Sequence, residues 1–185
     1  MSLDAVSARR STEHLTVLSV DEIARLLPHR YPFALLDRVT ALVPGVRAEA
    51  IKNVSAADPI LAGHFPGRMI YPGVLLIECI AQLAAVVYGT AAAQRATGEL
   101  VADVAGQVGY LAEVRQAKFL RPVYPGDQVL LQVQAGTRIG RLMSVTGQAS
   151  VNAKVVMTAR LAVTDREPDE TPDSDATSLV TTIRP

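Results

Sequence analysis

The sequence predicts an α+β domain in which an antiparallel sheet wraps around one long central helix. Three observations carry this expectation. The stretch from Pro72 to about Thr97 is apolar on every side as far as Val87, which suits a helix buried all round. Strand-like segments precede it, and three or four more follow without an intervening helix, so neighbouring strands pair antiparallel. That helix is also the one element long and apolar enough for the sheet to cover.

The 185 residues, 49% of them hydrophobic, suffice for one domain with a full core. Eighteen basic and eighteen acidic residues cancel. This balance speaks against nucleic-acid and membrane-surface partners, which select a basic excess. The single cysteine, Cys79, rules out an intrachain disulfide and fits a reducing compartment. The opening "MSLDAVSARRSTEHL" has no apolar core of a secretion signal, so a cytoplasmic location is expected. Glu78 and Gln82 interrupt the longest apolar run, which weighs against a membrane span.

In chain order, residues 1–18 are expected to form a flexible, polar N-terminal arm. "SVDEIARLLP" predicts a short helix, with Ser19 as N-cap, Glu22 as its capping-box partner and Pro28 as its stop. "FALLDRVTALV" and "VRAEAIKNV" predict two strands about a turn at Pro44-Gly45. "SAADPILAGHFPGRMIYPG" is rich in Pro and Gly and predicts a loop. Pro72 then suits the first turn of the central helix and Gly98 its end.

"QVGYLAEVRQAKFLRPV" predicts one long or bent strand and "YPGD" a turn. "QVLLQVQAGTR" and "RLMSVTGQASV" predict strands parted near Gly140. "KVVMTARLAV" alternates, with Val155, Met157, Ala159, Leu161 and Val163 on one face. The folded domain is expected over 19–165, followed by an acidic, disordered tail over 166–185. No internal repeat is present. A sheet curled round one helix is the hot-dog arrangement.

The central helix poses a chemical question, because a buried carboxylate is expensive. Glu78 and Gln82 are four residues apart and share a helix face. Glu78 lies about 9 Å along the helix. Removal from water favours the protonated carboxyl, and a protonated carboxyl can serve as a general acid. His64 stands in the loop before the helix, and histidine is the natural base at neutral pH. Backbone N–H groups at the helix start, around Gly73 and Val74, are placed to hold a developing oxyanion, and Gly73 leaves room for approach.

Base, acid and oxyanion donors suit removal of a proton beside a carbonyl with expulsion of a β-hydroxyl. They call for no metal and no organic cofactor. The alternative is that Glu78 forms a structural pair with an arginine, Arg38 or Arg68, and that His64 is solvated. His14 reads as a solvated arm residue, His29 as a loop hydrogen-bonder, and Cys79 as an inert core thiol.

"LLPHRYPFALLDRV", "GHFPGRMIYPGVLLIECIAQ" and "KFLRPVYPGDQV" together resemble the 3-hydroxyacyl-[acyl carrier protein] dehydratases of the FabZ group. The likeness runs from about Ser19 to Thr164, with three motifs in order and the family's fourteen-position spacing from His64 to Glu78. It implies the hot-dog fold. It also implies His64 as catalytic histidine, Glu78 as catalytic acid, Gly73 as the glycine whose N–H holds the thioester carbonyl, and Gln82 as partner of the acid. Glu78 stands where the isomerising FabA branch has Asp, which favours FabZ.

By the same likeness, Phe65, Tyr71 and Val74 border the substrate. The acyl chain arrives on the phosphopantetheine arm of an acyl carrier protein. Subunits form homodimers, which in turn assemble as trimers of dimers in many members, with the histidine of one facing the acid of the other. The carrier is acidic, so Arg115, Lys118 and Arg121 are candidates for docking it. Tyr71 replaces the usual methionine and Cys79 a common alanine, so the acyl channel is expected to be reshaped. Fatty-acid synthesis and a polyketide or polyene pathway both fit.

Other hot-dog functions are a thioesterase, which uses a carboxylate with water and lacks the "GHFPG" histidine, and an inactive acyl-binding or scaffold subunit. A MaoC-type hydratase needs Asp five residues before its histidine, where this chain has Pro59.

Overall fold

The computed structural model describes residues 16–102 and 108–165. Its elements run α1 (Val20–Leu26), β1 (Arg38–Val43), β2 (Arg47–Asn53), a 3-10 turn (Pro59–Ala62), α2 (Gly73–Thr97), β3 (Leu111–Phe119), β4 (Gln128–Ile139), β5 (Leu142–Val151) and β6 (Lys154–Thr164). The six strands form one sheet in the order β1-β2-β4-β5-β6-β3, every pair antiparallel. The helix α2 packs against β2, β3, β4, β5 and β6. This is the hot-dog fold. By length and composition α2 could also cross a bilayer, yet most of it is buried by the sheet.

Why the helix sits where it does is legible in one row of the sheet. Register aligns Ala48, Val133, Gly147, Ala159 and Ala117 across five strands. These are small residues on the inner face, and they make a trough. A Cβ on Gly147 would meet Ile80 Cγ2 of α2 at 2.3 Å, so only glycine lets the helix settle to this depth. Gly147→Ala is therefore expected to destabilise the fold by about 1–3 kcal/mol through overpacking, measured by urea denaturation. The next row, Glu49, Gln132, Gln148 and Thr158, faces outward and is polar, with Gln132 Nε2 donating to Glu49 Oε1 at 2.9 Å.

The helix ends match the sequence expectations. Ser19 caps α1 in a complete capping box with Glu22. Pro72 caps α2, and Gly98, at φ +77°, closes it in the left-handed conformation with its N–H on the Gln94 carbonyl.

Several expectations are corrected. The arm does not extend to residue 18: Leu18 is fully buried and exchanges two 3.0 Å backbone bonds with Val39 on the open edge of β1. An apolar side chain that fills a core slot brings its backbone into the sheet. Residues 1–15, like the tail over 166–185, lie outside the described residues. Strand β1 starts at Arg38 rather than Phe33, because the Phe33 and Ala34 N–H groups turn back onto the Arg30 carbonyl.

The long loop after β2 contains the 3-10 turn, capped by the Asp58 carboxylate on the Ile60 N–H. Of the alternating residues of β6, Met157, Ala159, Leu161 and Val163 are buried, as is Ala162 between the last two, but Val155 is half-buried. There Ser150 pairs with Val155 and Ala149 with Met157, leaving Val156 as a bulge. Its free carbonyl accepts the N–H groups of Leu120 and Arg121.

Candidate active site

The loop from His64 to Ile70 is a small hairpin. Phe65 and Arg68 exchange two backbone bonds around Pro66-Gly67, with Gly67 at φ +78°, as a type II turn requires. The Ile70 N–H donates to the His64 carbonyl at 2.9 Å, and His64 Nδ1 lies 2.7 Å from the Ile70 carbonyl. A carbonyl only accepts, so Nδ1 carries the proton and Nε2 keeps its lone pair. The imidazole is thus fixed in the tautomer a base needs. The Phe65 ring stacks on it at 4.0 Å and is itself half exposed. The loop is pinned beyond the hairpin by the Tyr71 N–H on the Val123 carbonyl at 2.8 Å.

At the start of α2, the N–H groups of Gly73 and Val74 have no acceptor among the described residues; the first N–H bonded there is that of Leu75, on the Pro72 carbonyl. Free N–H groups and the positive helix end favour a developing negative charge at this point. The space a Gly73 side chain would fill is not open. A Cβ there would lie 2.8 Å from Phe119 Cε1. Phe119, at the end of β3, roofs the helix start and was not found from sequence; a contact across forty-six positions leaves no local trace. Val74 projects outward, 67% exposed.

Glu78 sits one and a half turns along α2, and its side chain is 20% exposed. Gln82 Nε2 donates to Glu78 Oε1 at 2.9 Å. The same amide donates to the Phe33 carbonyl at 2.9 Å and accepts the Leu35 N–H at 3.0 Å. Because the Leu35 N–H requires an acceptor, the orientation of Gln82 is determined, and both of its N–H bonds are used. Oε1 of Glu78 is therefore the accepting oxygen, and Oε2 is the one left for chemistry. Neither Arg38 nor Arg68 pairs with Glu78. The side chain that faces it is His29, whose Nε2 lies 3.4 Å from Oε1. Among the described residues no hydrogen bond or ion pair joins His64 to Glu78 within the chain.

Tyr71 is 2% exposed and belongs to the hydrophobic core of the chain. Its hydroxyl is buried without a hydrogen-bond partner and lies near the Cys79 thiol. Burial disfavours ionisation of both groups: it raises the Tyr71 phenol and pushes the Cys79 thiol up to about 12. A fully buried thiol that does not ionise at neutral pH is inert, as its place in an apolar helix implied.

The three candidate docking cations differ in surroundings. The Arg115 guanidinium is paired with Glu113 at 2.8 Å, Arg121 donates to the Val155 carbonyl, and Lys118 points outward beside Thr158.

Residues 27–160 match the FabA-like domain family, so among hot-dog proteins this one is of the dehydratase class. The chain is 36% identical over 162 residues to the 3-hydroxyacyl-[acyl-carrier-protein] dehydratase FabZ of Paramagnetospirillum magneticum, covering 88% of this chain and 96% of that one. It is 40% identical over 155 residues to the FabZ of Geobacter metallireducens, covering 83% and 97%. The chain belongs to this family and is of the FabZ type. Among solved structures, the dehydratase heterocomplex ApeI:P from Xenorhabdus doucetiae aligns with a TM-score of 0.64 at 26% identity, over 82% of this chain and 93% of that one.

Proposed function

We propose that this chain converts (3R)-3-hydroxyacyl thioesters carried on acyl carrier protein into trans-2-enoyl thioesters and water, in fatty-acid or related polyketide biosynthesis. His64 Nε2 takes the α-proton. The N–H groups at the start of α2 hold the enolate-like oxygen while the C–C double bond forms. Glu78 Oε2 gives its proton to the departing β-hydroxyl, which leaves as water. His64 has then gained one proton and Glu78 lost one, and solvent restores both. The step is redox neutral, and the reading requires no metal or organic cofactor.

The observation that carries this reading is the fixed tautomer of His64, which leaves Nε2 free to act as a base. Hot-dog thioesterases commonly set a carboxylate against water, without such a histidine. A homodimer with composite sites is part of the reading, supported by the apolar surface left open. Strand β3 ends the sheet with an unpaired edge, and Val74, Val114, Phe119 and Leu120 are exposed along it or near it, while Phe65 is exposed on the His64 hairpin. Arg115, Lys118 and Arg121 remain the proposed carrier contacts.

The test is incubation with a 3-hydroxyacyl carrier protein, followed by mass spectrometry of the carrier. Loss of one water with the thioester intact is expected. Release of free thiol would replace the reading with hydrolysis.

A further inference from the structure

We propose that His29 is a positioning residue for the acid, holding Glu78 Oε1 together with Gln82 so that the transferable proton sits on Oε2. This rests on the reading of Glu78 as the general acid.

The geometry is built by a rigid loop. Arg30 donates from one guanidinium nitrogen to the Leu27 and His29 carbonyls, at 2.7 and 2.8 Å. The Phe33 and Ala34 N–H groups close onto the Arg30 carbonyl. Gln82 ties the far end of the same loop to α2 through Phe33 and Leu35. His29 is thus delivered to Glu78 by backbone held at both ends, with the Phe33 ring 6.1 Å from its own.

The tautomer follows from what the ring lacks. His29 Nδ1 is buried and has no partner. A buried N–H without an acceptor costs more than a buried lone pair, whose loss of a weak bond is smaller. The proton therefore belongs on Nε2, which faces Glu78 Oε1 at 3.4 Å. That distance is slightly longer than a formed hydrogen bond, and catalytic contacts of substrate-free sites commonly tighten when substrate binds.

Two donors then converge on one carboxyl oxygen. An oxygen that accepts from both Gln82 and His29 is a poor place for the acid proton, so the proton occupies Oε2. The pair also fixes the plane of the carboxyl group, which a single hydrogen bond would leave free to rotate. The sequence placed His29 in "LPHRYPF" as a loop hydrogen-bonder; the group its Nε2 faces is the acid.

The experiment compares His29→Phe, His29→Gln and Glu78→Gln as full-length proteins on a 3-hydroxyacyl thioester. Phe keeps the ring and its volume but has no donor. Gln can place an N–H near the position of imidazole Nε2. His29→Phe is expected to lower kcat by roughly tenfold to a hundredfold, the scale of a misplaced catalytic group, with KM and Tm little changed. His29→Gln is expected to recover most of that loss.

Equal losses in both His29 variants would make His29 a packing residue and overturn the proposal. So would a kcat for His29→Phe within about twofold of wild type while Glu78→Gln is inactive. If Glu78→Gln itself keeps its turnover, the acid assignment falls and this inference with it, a result distinct from either of the others.

Discussion

Glu78→Gln is expected to cut turnover by about a hundredfold or more, the scale of lost general acid catalysis. The structure makes this an unusually clean substitution. The amide oxygen can take the place of Oε1 and still accept from Gln82 Nε2 at the present 2.9 Å. The amide nitrogen then occupies the Oε2 position and has no proton it can give up. Packing and hydrogen bonds persist while the chemistry is removed, so thermal melting should be unchanged. His64→Ala is expected to be at least as damaging, since it removes the base from a surface hairpin outside the core. Steady-state dehydration of a 3-hydroxyacyl thioester measures both. A loss under about threefold for Glu78→Gln would leave the carboxyl a structural role.

Mixing the two dead variants should restore activity. Among the described residues no hydrogen bond or ion pair joins His64 to Glu78 within one chain. They also belong to different anchorages, His64 to the hairpin pinned at Val123, Glu78 to the helix face tied to the loop at Phe33 and Leu35. If a two-fold partner brings them together, a mixed dimer has one site with both lesions and one with none. Equal amounts, co-refolded, give half mixed dimers with half their sites intact, so activity should return to roughly a quarter of wild type. Should native mass spectrometry show that mixed dimers form and yet no activity returns, each site lies within one chain.

Much of this was legible in the sequence because the signals are local. The capping box of α1, the apolar length of α2, its glycine stop and the turn at Tyr124–Asp127 each depend on residues a few positions apart. His64 and Glu78 were legible for a different reason. A carboxyl inside an apolar helix is costly enough to need a purpose, and the family motifs agree on that purpose. What sequence did not reveal is long in range. The reach of His29 to Glu78 spans forty-nine positions, and the ring of Phe119 over Gly73 forty-six. The bulge at Val156 breaks an alternation whose residue types look unbroken. Leu18 could not be told from arm, since one apolar residue among polar ones has no period.

The burial of Cys79 has a practical side. It is the chain's single thiol, and it is fully enclosed. Any cysteine introduced on the surface would then be the sole group open to maleimide under native conditions, with no need to delete the natural one. Thr146 is exposed on the outward, polar face of β5, away from the trough that seats α2. A fluorophore attached at that position would report on subunit exchange, carrier encounter or surface immobilisation in an otherwise unmodified chain.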